Sequence, residues 1–191
     1  MRTPFAVRAI LWLWFFAAVA VSQFAVLQRL PRPAIQGLII AITAALVLAY
    51  RRIPPLRTWI DAIDLRALVL LHATRFVGFY FLLLYQRSEL PYAFAVPAGI
   101  GDILVAALAL AVAFVPLAEP TRLRAIYIWN VIGTTDILLV IVSAARLALA
   151  GSDELVSLTQ FPLSLLPTFL APLIIATHLA IFARLASRKV T

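Results

Sequence analysis

The sequence predicts an all-α integral membrane protein: six transmembrane helices in one bundle, with the N-terminus and C-terminus both cytoplasmic. Three observations carry that prediction. Of 191 residues, 64% are hydrophobic and only 13% charged, and the apolar residues fall in long blocks rather than in an alternating scatter. The blocks approach the roughly 20 residues that a helix needs to cross the hydrocarbon. The basic residues lie at the ends of the blocks and favour one side. The whole chain, 1–191, reads as a single transmembrane domain.

The spans lie near 6–27, 34–50, 67–86, 96–117, 125–147 and 164–184. The first contains "RAILWLWFFAAVAVSQFA". Basic residues before it and small residues after it resemble a secretory signal, whose removal would leave five helices. Its apolar region is long for a signal, and Trp12, Trp14, Phe15 and Phe16 suit a permanent span. The second span is the shortest. In the connector "PPLRTWIDAIDLR", Leu56, Trp59, Ile60 and Ile63 recur at helical spacing opposite Arg57, Asp61 and Asp64. This pattern predicts a short helix lying on the inner membrane surface. The third, fourth and fifth spans follow with short connectors, and "SDELVSLTQFP" predicts an outer turn capped by Ser152. In the sixth span Pro172 cannot donate to the carbonyl of Thr168, which predicts a kink and a freed polar group facing the interior.

With the N-terminus inside, the cytoplasmic side holds Arg2, Arg8, Arg51, Arg52, Arg57, Arg66, Arg122, Arg124, Arg184, Arg188 and Lys189. The outer side holds Arg29, Arg32, Arg87 and Arg146. This asymmetry supports an even number of spans. The net charge of +8 therefore reads as a topology signal toward an anionic leaflet, with the lipid bilayer and not nucleic acid as the partner. Fifteen arginines to one lysine fit the bias of a GC-rich bacterial genome and so a multi-pass protein of the bacterial inner (plasma) membrane.

The absence of cysteine excludes disulfides, thiolate metal sites, iron–sulfur clusters and cysteine nucleophiles. No lysine lies within a span, so a retinal Schiff base is excluded, and no glycine-rich nucleotide loop is present.

Ionisable groups inside a bilayer are costly unless they face protein or water, so each is a functional candidate. Five stand out: His72, Arg75, Asp102, Asp136 and His178, with Asn130 as a sixth polar group. His72 follows Arg66 by six residues, Asn130 follows Arg124 by six, and His178 precedes Arg184 by six. All three therefore sit about 9 Å inside the cytoplasmic boundary, at the shared level that a common site requires. Residues three or four apart share a helix face. His72 and Arg75 are such neighbours, continued by Phe79 and Gln86. Asn130, Gly133, Asp136 and Ser143 share another face, and His178 lines up with Ala171, Pro167 and Ser164. Polar stripes on the third, fifth and sixth spans predict one buried seam with the start of the fourth beside it. Arg75 and Asp136 fall at similar depth and are expected to pair.

The working reading is passage of a proton, ion or small polar solute along this seam, by a transporter or channel. One alternative is a haem b redox subunit, with His72 and His178 as axial ligands or, more broadly, as metal ligands. Haem b is the one candidate cofactor, and the favoured expectation is that none is bound. Another alternative is a non-catalytic scaffold subunit. A homo-oligomer or a larger membrane complex is compatible with each. An enzyme is the less favoured class.

Gly99-Ile100-Gly101-Asp102 spells G-x-G-D and resembles the pattern around one catalytic aspartate in intramembrane aspartyl proteases of the presenilin and prepilin-peptidase kind. The resemblance implies Asp102 and Asp136 as a catalytic dyad. The order is reversed, however, since in those families the G-x-G-D aspartate comes second. Ala171-Pro172-Leu173 also exchanges the first two residues of their proline-alanine-leucine triplet. The expectation preferred here is that Pro97 opens the fourth helix and that Asp102 sits near its start, favoured by the helix dipole.

Overall fold

A computed structural model describes residues 3–31, 33–151 and 155–187. Every regular element among them is helical, and six helical stretches are long and apolar enough to cross a membrane. α1 is Phe5–Gln23, α2 Ala34–Arg52 and α3 Pro54–Ala62. The third span is not one continuous α-helix: α4 (Leu65–Leu71) passes through a 3₁₀ segment, His72–Val77, into α5 (Gly78–Gln86). α6 is Tyr92–Phe114 and α7 is Glu119–Leu149. The last span opens with a π-helical turn, Leu166–Leu170, and continues as α8, Ala171–Ser187. The capping turn expected at Ser152 lies outside the described residues.

The chain forms two compact units. The first contains residues 1–62 and 145–176. Here α1 packs on the π-helical turn: Trp14 and Phe15 lay their rings against Phe169 at 4.5 and 5.5 Å between centroids. The carbonyl that Pro172 cannot bond does not stay free for the interior, because Trp14 Nε1 donates to Thr168 O at 2.9 Å. Thr168 Oγ1 in turn donates to Ser164 O, and Ser164 Oγ donates to Ser22 Oγ at 2.6 Å. Ser164 is thus engaged with α1. α3 is present, with Leu56, Trp59 and Ile60 half-buried and Arg57 and Asp61 exposed. Tyr50 Oη donates to Asp61 Oδ1 and ties α3 to α2.

The second unit contains residues 63–144 and 177–191. Asp64 does not extend the polar face of α3. It caps α4 instead, accepting from the Arg66 backbone N–H at 2.9 Å, and that bond holds its carboxyl below the usual carboxylate range. Above this cap, Leu65, Leu68 and Val69 pack with Val105 and Ala109 of α6, Ile126 and Trp129 of α7, and Ile181 and Leu185 of α8. α5 and α6 approach backbone to backbone, since a Cβ on Gly78 would meet the carbonyl of Gly99, and one on Gly99 would lie 2.8 Å from the carbonyl of Gly78.

Candidate functional site

Four glycines and a 3₁₀ segment assemble the polar centre of the second unit. In a 3₁₀ helix residues three apart eclipse one another, so His72 and Arg75 project along one line. The change of helix type also ends the expected stripe. Phe79 is 58% exposed and Gln86 is exposed as well, so neither continues it.

Arg75 is buried to 1% exposure and uses three nitrogens on three groups. Nε donates to Asp102 Oδ1 at 2.6 Å, Nη1 to the carbonyl of Gly133 at 3.0 Å, and Nη2 to Asp136 Oδ2. Asp102 comes from α6, and Gly133 and Asp136 from α7. The Arg75–Asp136 pair is as expected, but the place of Asp102 is a correction. α6 begins at Tyr92, so Pro97 lies inside the helix and Asp102 well beyond its first turn. That start brings Asp102 level with Asp136, and both hold the same guanidinium. An aspartyl dyad shares a proton between adjacent carboxyls, whereas these two share an arginine.

The G-x-G-D segment has a local purpose at each polar or glycine position. Gly99 admits Gly78, Gly101 leaves room for the Asp136 carboxylate, which a Cβ there would strike, and Asp102 binds Arg75.

One turn along α7 from Gly133, Asn130 Nδ2 donates to the carbonyl of His178, and Asn130 Oδ1 lies 2.7 Å from His178 Nδ1. The first bond orients the amide, so its oxygen faces the ring and the His178 proton sits on Nδ1. His178 Nε2 is buried without a hydrogen-bond partner. Its Cε1–Nε2 edge turns toward Gly133, where a Cβ would lie 2.7 Å from Cε1 and 3.0 Å from Nε2. His72 Nε2 lies 3.2 Å from Thr177 Oγ1. The imidazoles are 4.2 Å apart between centroids, with the Trp129 ring at 4.8 Å from His72 and 5.4 Å from His178. His72, Asn130 and His178 are each 0% exposed, so the three residues of equal sequence depth do meet. The axial ligands of one haem stand on opposite faces of a porphyrin, and rings in direct contact leave no plane between them. No group of three or more metal-ligating side chains occurs among the described residues. Pro172 lies in the first unit.

Sequence reasoning passed over Trp129, Thr177 and Gly78. For Trp129 a signal existed: tryptophans concentrate at membrane interfaces, and this one lies beside Asn130, about a turn inside the start of an apolar block. Its Nε1 donates to Val105 O at 3.0 Å. Thr177 and Gly78 carry no comparable signal.

Among the described residues, fold and site together define an all-helical protein with six helices long and apolar enough to cross a membrane and a buried arginine held by two aspartates. The chain belongs to the family described as Domain of unknown function (DUF8737), which matches residues 32–186. No curated protein and no solved structure matches it.

Proposed function

We propose that this chain is a six-span protein of the bacterial inner membrane, with both termini cytoplasmic, and that it passes a proton, ion or small polar solute along the polar seam. The distribution of its residues supports the membrane setting. Large apolar side chains face outward, with Phe5 78% and Phe114 71% exposed, while Arg75, Asn130 and both histidines are enclosed. A chain folded in water arranges these the other way.

One observation carries the transport reading: Arg75 is buried against two carboxylates, Asp102 and Asp136. A pair that only fixes helix packing needs one carboxylate. A second leaves an excess negative charge in a low-dielectric interior, which is costly unless a transient cation offsets it. Asp136 is the more open of the two, at 18% side-chain exposure against 7% for Asp102. It is therefore the port through which such a cation arrives.

The test is flux in liposomes under imposed proton and solute gradients, comparing wild type with Asp136→Asn. Flux in the wild type that falls at least about tenfold in the variant supports the proposal. Unchanged flux, or none in the wild type under any gradient, replaces it with a scaffold role.

A further inference from the structure

The geometry points to the proton as the species this seam handles, and to His178 Nε2 as its internal station. The inference rests on the transport reading for its biological sense, but its physical basis is separate. His178 is anchored by Nδ1 at Asn130, and its other edge lies over Gly133. Asn130, Gly133 and Asp136 succeed one another at three-residue spacing, so the ring reaches from the level of Asn130 toward the level of the ionic cluster. The nitrogen at that end has a free lone pair and no partner. Gly133 serves both sides: its carbonyl accepts from Arg75, and its missing side chain makes space for the imidazole edge.

Charge arithmetic then selects the ligand. The titratable and charged groups next to His178, among the described residues, are His72 and Arg75 from the 3₁₀ segment, and Arg75 in turn holds Asp102 of α6 and Asp136 of α7. With both histidines neutral and both carboxylates ionised, the set carries one net negative charge. One proton makes it neutral whether it sits on Asp136 or on His178 Nε2. In the transfer the O–H bond of the Asp136 carboxyl breaks and an N–H bond forms on the Nε2 lone pair. Carboxylate and imidazolium result, and the total charge is unchanged. The two placements thus carry the same total charge. Proton occupancy needs no cage of oxygen ligands, which a sodium or potassium ion would need and which two aspartates already committed to Arg75 do not supply.

The chain has two histidines, so ¹⁵N-histidine-labelled protein in lipid bilayers gives two ring systems, assigned with His72→Gln. The expected result is a His178 ring protonated on Nδ1 at alkaline pH that gains a proton on Nε2 as pH falls. In Asp136→Asn that gain should require a proton concentration higher by about tenfold or more, because the carboxylate offsetting the imidazolium is gone. If Asp136→Asn does not fold, Asp102→Asn removes the same charge from the other side of Arg75 and makes the same comparison. A His178 ring that stays neutral throughout the folded pH range overturns the inference. So does a titration indifferent to both aspartate substitutions, and so does release of the bound proton by added sodium or potassium. Proton gain at His178 without flux in liposomes upholds this inference and sinks the transport proposal. Flux of another solute with His178 always neutral does the reverse.

Discussion

The carboxylate of Asp136 on α7 lies against the Cα of Gly101 on α6, in space that any side chain at 101 would fill. Gly101→Ala should therefore displace Asp136 from Arg75 and destabilise the fold by about 1–3 kcal/mol, the usual cost of overpacking. Gly37→Ala is the control, since no atom lies within 4 Å of a Cβ built there. Unfolding in mixed detergent micelles should separate the two, with Gly37→Ala neutral or slightly stabilising.

Within the ionic cluster, the substitutions should rank by the charge they leave uncompensated. Arg75→Met strands two carboxylates and should cost about 3–5 kcal/mol. Asp102→Asn leaves a balanced pair and weakens one charged hydrogen bond while removing the excess negative charge, so its cost should stay below about 1.5–3 kcal/mol. Asp136→Asn, at the more exposed position, should cost least. The same unfolding assay reads all three, and an Arg75→Met variant as stable as Asp136→Asn would contradict the ranking.

Trp14 and Pro172 should be coupled through the carbonyl of Thr168. Trp14→Phe removes the indole donor seen at 2.9 Å and should cost about 1–3 kcal/mol, because a buried acceptor loses its partner. Pro172→Ala restores a backbone N–H to the helix. The double variant should then lose less than the sum of the singles, and simple additivity in a double-mutant cycle would remove the coupling.

Asp64 should make a pH-dependent contribution at the start of α4. Its carboxyl is held below the ordinary range, first by the backbone N–H of Arg66. A lowered folded value means that the stabilisation is present above the unfolded carboxylate pKa and fades as pH falls through the folded one. Asp64→Ala should cost on the order of 1 kcal/mol at neutral pH, as for other lost N-caps. The difference from wild type should shrink as the solution is acidified below the ordinary carboxylate range.

Much of the site was legible along the chain because intramembrane polarity is so costly that each ionisable residue announces itself. Equal spacing from boundary arginines was enough to bring His72, Asn130 and His178 to one level, since helical rise is nearly constant. What failed was phase. The stripe through Phe79 and Gln86 assumed an α-helix where the backbone tightens to 3₁₀ at His72–Val77. The start of α6 at Tyr92 is not legible along the chain, because Pro97 fits a first helical turn as readily as the helix interior it occupies.

The sequence by itself determined the helical class, the number of long apolar segments and the short list of buried polar groups, because these follow from hydrophobic length and desolvation cost. Beyond the Arg75–Asp136 pair, only the tertiary structure decided the partners. That Arg75 takes Asp102 as well, why Gly101 and Gly133 lack side chains, and where the carbonyl at Thr168 finds its donor all depend on atoms far apart in the chain. Such partners are set by close packing between helices, and composition and periodicity carry no record of it.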